Sequence, residues 1–251
     1  MIKVVDLKKS FGGQEVLRGV NLEIRKGETT AIIGRSGGGK TVLLKHLVGL
    51  LKPDSGTIYV NGTEITSLRG RRLDRVKRKF GMVFQGGALF DSMTVLENVR
   101  FPLRELTDLS EPEITRLALS ILKETGLEGM EGKYPDEISG GMGKRVALAR
   151  SLVLRPEYMF FDEPTTGLDP IVVNAIHRLM ARCMAEVKCT DVLVSHDIAE
   201  VMEISDRVAM LHKGVIIAAG TPDEIRGSSD PVVRQFLAGA AEGPIQSGES
   251  G

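Results

Sequence analysis

The sequence predicts an α/β fold with a P-loop core, and three observations carry that prediction. Apolar runs of strand length at residues 29–33, 80–84, 158–161 and 192–195 are separated by longer stretches, several with apolar residues at helical spacing. Gly34-Arg35-Ser36-Gly37-Gly38-Gly39-Lys40-Thr41 fits G-x-x-x-x-G-K-[ST] and stands between the first of those runs and a helical stretch, 41–49, that ends in glycine. The first 28 residues read instead as strands around a Gly12-Gly13 turn, and residues from about 95 to 155 break the alternation with a helical block.

Composition narrows the class. The chain has 251 residues, 42% apolar and 26% charged, enough for one large α/β domain with a substantial core. Lys+Arg and Asp+Glu are both 33, so the basic footprint of a nucleic-acid binder is missing. No apolar run approaches ~18 residues, and the start Met1-Ile2-Lys3-Val4-Val5-Asp6 does not read as a signal peptide. Cys183 and Cys189 match no metal spacing and are expected to be free, reduced thiols. A soluble, cytosolic chain is expected.

Taken in order, residues 1–28 place Ile2, Val4 and Leu7 and then Val16, Leu17, Val20, Leu22 and Ile24 in rough alternation. Phe11, beside the glycine turn, is either a half-buried loop aromatic or a ring that stacks on a flat base. In the P-loop stretch, glycines let the backbone approach phosphate oxygens, Lys40 carries a point charge toward β- and γ-phosphates, and Thr41 offers a hydroxyl to Mg²⁺. Strand, glycine loop and helix N-terminus together surround an anion. A strand follows at 57–60, ended by Asn61-Gly62, and then a basic run of Arg69, Arg71, Arg72, Arg75, Lys77, Arg78 and Lys79. Leu73 and Val76 favour an ordinary amphipathic helix with a solvated basic face over a surface for anionic lipid or an acidic partner.

The strand at 80–84 ends in Gln85 beside Gly86-Gly87, where open α/β sheets place ligands. Residues 89–106 turn from irregular to helical with Pro102 inside, and 112–126 read as a helix. Ser139, an N-cap residue followed by Gly140 and Gly141, opens another helix, which is ordinary capping or a second anion-facing N-terminus. The strand at 158–161 runs into Asp162-Glu163, two carboxylates that are costly to desolvate unless they face a cation or water. Asp169-Pro170 starts a helix after a tight turn. The strand at 192–195 runs into His196-Asp197, and two last strands follow at 207–211 and 215–218. In the tail, Val232, Val233, Phe236 and Leu237 fall on one helical face, and from Gly239 the composition reads as a flexible end.

Gly34 to Thr41, Gln85, Ile138-Ser139-Gly140-Gly141-Met142, Asp162-Glu163, Gly167-Leu168-Asp169 and His196 come in one order, which resembles the nucleotide-binding subunit of ABC transporters. They look like its Walker A, Q-loop, signature, Walker B with adjacent glutamate, D-loop and H-switch. The stretches 81–92, 101–105 and 230–239, and Ser-Gly-Gly-Met in place of Ser-Gly-Gly-Gln, are similar to the MlaF-like ATPases of Mla-type lipid transporters. Three departures stand out: Ile138 for Leu, Val42 where a second hydroxyl residue is common, and Gly143, which costs roughly 1 kcal/mol against Ala and is a place for close backbone approach.

The resemblance implies a RecA-like P-loop NTPase core with an antiparallel β subdomain over residues 1–225, a helical subdomain inserted at about 95–155, and a tail at 226–251 that is helical and then flexible. It implies ATP and Mg²⁺ as ligands. Phe11 stacks on adenine, and Gly34, Arg35, Ser36, Gly37, Gly38, Gly39, Lys40, Thr41 and Val42 hold the phosphates. Thr41, Gln85 and Asp162 hold the metal, and Glu163 polarises water. His196 touches the γ-phosphate, and Asp169 links two sites. Ser139, Gly140 and Gly141 reach the nucleotide of a second copy in a head-to-tail homodimer. The implied setting is the cytoplasmic face of the bacterial inner membrane. The implied partners are permease subunits, with a small cytoplasmic regulatory subunit and a periplasmic lipid-binding subunit as further candidates; nucleic acid is not among them. The expected function is powering phospholipid transport. An amino-acid or ion importer, a lipoprotein-release ATPase, an ABC ATPase that transports nothing, and a small-molecule P-loop kinase are the rivals.

Overall fold

The structure, a computed structural model, describes residues 1–246. The chain divides into two compact units, one made of Met1–Lys77 and the chain from Thr190 onward, the other of Arg78–Cys189. Strands and helices are numbered along the chain.

In the first unit, β1 (Ile2–Phe11) and β2 (Gln14–Ile24) form an antiparallel hairpin. Gly12 and Gly13 turn it with φ of +56° and +85°, the left-handed pair that a two-residue hairpin requires. Ile2, Val4 and Leu7 are all buried although Val4 and Leu7 are three apart. A register shift between them, with Asp6 at φ +46°, is a bulge that restores the inward face. β4 (Ser55–Val60) pairs with the other side of β1, and β5 (Thr63–Glu64) with β4. Gly56, at φ +88°, lies so close to β1 that a Cβ would stand 2.3 Å from Asp6 O.

The same unit holds a second set of strands. β3 (Thr29–Ile33) runs parallel to both β8 (Thr190–Val194) and β9 (Arg207–His212), and β10 (Val215–Gly220) turns back antiparallel on β9. Flanked on both sides, β3 buries Ala31, Ile32 and Ile33, which is why it reads as a continuous apolar run rather than an alternation. α1 (Lys40–Leu47), α2 (Arg71–Lys77), α7 (Ile198–Ile204), α8 (Pro222–Arg226) and α9 (Pro231–Ala238) complete it.

α2 carries the expected solvated basic face: Arg71, Arg72 and Arg75 are exposed, and Leu73 and Val76 are half-buried. One expectation needs adjustment. In α9 only Val233 of the four apolar residues is fully buried, and polar Gln235 is buried beside it. Its amide donates to Ala240 O (3.1 Å) and Ile245 O (3.0 Å) and accepts from Ile245 N (2.6 Å). Residues 240–245 are thus tied back to α9 where the composition reads as a loose end; the rest of that end, residues 247–251, lies outside the described residues.

In the second unit β6 (Phe80–Val83) and β7 (Tyr158–Asp162) are parallel, with Phe80 opposite Tyr158 and Val83 opposite Phe161. β6 stops one residue before the expected Phe84. Phe80 meets Tyr158 and Phe160 edge-on at centroid distances of 5.8 and 5.3 Å, a geometry that adds to the burial of the rings. The helices are α3 (Val95–Leu106), α4 (Glu111–Glu124), α5 (Gly140–Leu152) and α6 (Pro170–Val187). Thr94 and Glu97 form a capping box at the start of α3. Cys183 and Cys189 are free and buried, and burial pushes the Cys183 thiol up.

Asn98, fully buried on α3, organises the irregular stretch before that helix. Its Nδ2 faces Phe90 O (3.1 Å), Met93 O (3.1 Å) and Thr94 O (3.0 Å), and its Oδ1 accepts from Phe90 N (2.9 Å). Asn98→Ala removes the side-chain bonds to Phe90 N and Met93 O, while Phe90 O and Thr94 O keep the backbone N–H groups of Met93 and Asn98. It is expected to cost about 2–4 kcal/mol in urea denaturation, and a loss below about 0.5 kcal/mol would show that water replaces the side chain.

Candidate functional site

In the first unit β3 leads directly into the loop 34–39 and α1. Gly34 has φ +149°, and a Cβ there would stand 2.3 Å from Leu211 O, so only glycine lets the chain leave the strand at this point. Gly38 N donates to Arg35 O (3.1 Å) and closes the turn. Gly39, at φ +93°, is the N-cap of α1 and supplies no side-chain cap. Lys40 is 5% exposed, and its Nζ donates to Gly34 O and Arg35 O, each at 2.8 Å. The loop thus wraps its own cation. Thr41 and Val42 open the helix, and Val42 O is 2.7 Å from His46 Nδ1. Burial lowers the pKa of His46, which keeps that ring neutral behind the loop.

β8 lies beside β3 with Val194 opposite Ile32, so both strands end at one edge. Beyond it Ser195 is buried, and its Oγ accepts from Asp197 N (3.1 Å). Asp197 caps α7 by accepting from Glu200 N (3.1 Å). This turn presents His196, exposed, at the edge from which the P-loop leaves. Phe11, at the end of β1, is 45% exposed.

The second unit repeats the logic. Gln85 follows β6 and Asp162-Glu163 ends β7, and the parallel register brings them to one edge. Gln85 Nε2 donates to Glu163 Oε2 at 3.5 Å, and Thr166 Oγ donates to the same oxygen at 3.2 Å. Asp162 is buried. Glu163 has φ +46°, strained for a residue with a side chain, at a cost of order 1–3 kcal/mol. Such strain persists where the position of a side chain matters more than local comfort.

Ser139 caps α5, its Oγ accepting from Met142 N (3.3 Å). Gly141 is needed for packing, since a Cβ would stand 2.8 Å from Val172 Cγ1 of α6. Asp169 caps α6, its Oδ1 accepting from Ile171 N and Val172 N at 3.1 Å each. Gly143 marks no close backbone approach: a Cβ would meet only Leu89 Cδ1, at 4.0 Å.

Two residues that the motifs do not include hold the loop after β6. Lys144 Nζ donates to Gln85 O. Arg150 donates to Gly87 O (2.8 Å) and Ala88 O (2.7 Å). Burial lowers the pKa of both cations. The only linear hint is the three basic residues Lys144, Arg145 and Arg150 on a helix otherwise rich in small and apolar ones; which carbonyls they meet is decided by packing.

The glycine loop and uncapped helix start fit a polyphosphate. Among the described residues no group of three His, Cys, Asp or Glu could hold a metal.

A buried parallel strand running through this loop into a helix, with a histidine at the same strand edge, defines a P-loop nucleotide-binding protein. The family model described as ABC transporter matches residues 17–166. The chain belongs to that family, and it is an ATPase. It is 41% identical over 246 residues to the intermembrane phospholipid transport system ATP-binding protein MlaF of Haemophilus influenzae, covering 98% of this chain and 93% of that one. It is also 41% identical over 244 residues to the probable ribonucleotide transport ATP-binding protein mkl of Mycobacterium leprae, covering 97% of this chain and 70% of that one. A solved dimeric structure of a post-hydrolysis state of the ATP-binding cassette MJ0796, bound to ADP and Pi, matches with TM-score 0.81 at 33% identity over 88% of this chain and 99% of that one.

Gly143→Ala removes a helix-interior glycine where space is open. It is expected to stabilise the protein by about 0.5–1 kcal/mol in thermal or urea unfolding. A destabilisation would mean that α5 needs the glycine for something other than its backbone.

Proposed function

We propose that this chain powers phospholipid transport between bacterial membranes, as a pair of copies bound to permease subunits at the cytoplasmic face of the inner membrane. The observation that carries the ATP-driven part is the loop 34–39 closed around Lys40 with His196 at the same strand edge. The cargo reading is supported by the MlaF relative, matched over 93% of its length, against 70% for the mkl relative whose name gives ribonucleotides. A regulatory subunit in the cytoplasm and a lipid-binding subunit in the periplasm belong to the same reading.

Lys40 and the loop N–H groups hold the β- and γ-phosphates, and Phe11 stacks on adenine. Thr41 and Gln85, with Asp162 through water, would hold Mg²⁺ by their oxygens. The ion, when bound with ATP, neutralises charge that develops on the phosphates. Glu163, fixed by Thr166 and Gln85, accepts a hydrogen bond from the attacking water and orients it. His196 donates to the γ-phosphate. Ser139, Gly140 and Gly141 serve the nucleotide of the opposite copy, and Asp169 links the two sites; the dimeric state of the solved MJ0796 cassette supports that pairing. Catalysis then rests on positioning and charge stabilisation. Separation of the copies after hydrolysis drives the permease.

Lys40→Ala is expected to weaken ATP binding by at least about tenfold in equilibrium titration; unchanged affinity would take the phosphate site away from this loop. Glu163→Gln should keep ATP binding and lower turnover about a hundredfold or more, and near-normal hydrolysis would remove Glu163 from the water. Lipid extraction of the complex purified from solubilised membranes tests the cargo: enriched phospholipid supports the reading, and bound nucleotide cargo without lipid supports the ribonucleotide alternative.

A further inference from the structure

The end of β1 is tied to one residue in the turn before β4. Asp54 N donates to Lys8 O (2.9 Å), Ser10 N donates to Asp54 Oδ2 (2.7 Å), and Lys9 Nζ donates to Asp54 Oδ1 (2.7 Å). The Lys9 side chain is only 16% exposed, low for a lysine. Its ammonium lies 5.2 Å from the centre of the Phe11 ring, within cation–π range. The Asp54 carboxyl is held below its usual range, first by the Lys9 ammonium and then by the Ser10 N–H, so the carboxylate stays charged to grip the lysine.

We infer that Lys9 and Asp54 are a positioning pair for nucleotide binding: Asp54 holds the Lys9 ammonium against Phe11, and the ring so placed receives the base. Neither residue touches the phosphates. An exposed aromatic that orders only when ligand arrives loses rotamer freedom at that moment; a ring already held does not. The inference rests on the reading of Phe11 as the base-stacking residue. It adds that base affinity is set by a charge pair two residues back in the chain and in a separate turn, outside the nucleotide-contacting residues.

The test uses the full-length protein in EDTA, where hydrolysis does not interfere, with two probes, ATP and inorganic tripolyphosphate, which lacks a base. Lys9→Met is expected to raise the Kd for ATP about threefold and to leave the Kd for tripolyphosphate unchanged, with Lys9→Arg restoring ATP affinity. Asp54→Asn, which keeps an oxygen for Ser10 N and loses the charge, should reproduce Lys9→Met. In a Phe11→Ala background, Lys9→Met should have no further effect. If Phe11→Ala weakens ATP binding and Lys9→Met does not, the pair plays no positioning part and the ring's role stands. If Phe11→Ala leaves ATP affinity unchanged, the ring's role falls and the inference with it. Equal losses for ATP and tripolyphosphate in Lys9→Met would place its effect on the phosphate loop or the fold and overturn the inference.

Discussion

Parallel strand pairing is the constraint from which the rest follows. In a parallel ladder both strands end at the same edge, so whatever follows them in sequence is delivered to one place. β3 with β8 does this for the P-loop and His196, and β6 with β7 does it for Gln85 and Glu163. More than a hundred residues of chain separate the members of the first pair, yet the register of four residue pairs sets them level. β7 and β8 are buried along their whole length and β3 along all but its first residue, while β6 alternates half-buried and buried positions.

Around that constraint the structure spends local strain where a group must stand in one position. Gly34 fits against Leu211 O only because it has no Cβ. Lys40 is buried, and its ammonium donates to the carbonyls of its own loop, which offsets part of the cost of leaving water. Glu163 stands in the left-handed region although it is not glycine, and two donors fix its carboxylate there. Arg150 and Lys144 hold the carbonyls of the loop that carries Gln85. Each is a way of fixing a polar group before any ligand arrives, which is what catalysis by positioning requires.

Much of this was legible in the chain. The elements at 29–33, 158–161 and 192–195 are apolar runs of strand length, Ser139 is the N-cap that its residue type indicates, and Pro170 opens α6. Where the reading of elements differs from the structure, the physical reason is tertiary. Gln235 looks like a surface residue, yet it is buried because it bonds the returning chain at Ala240 and Ile245. Gly143 sits among motif glycines, but its surroundings are open.

By itself the sequence determined the elements, the family and the identity of the motif residues, because periodicity, capping chemistry and glycine spacing are local properties that a linear chain displays. Only the tertiary structure decided which distant groups meet. The grip of Asp54 on Lys9, the Arg150 bonds to the loop after β6 and the Gln85 bond to Glu163 all depend on register and packing between segments far apart in sequence. No spacing rule encodes these, since the energy of such contacts belongs to pairs of segments and not to either one.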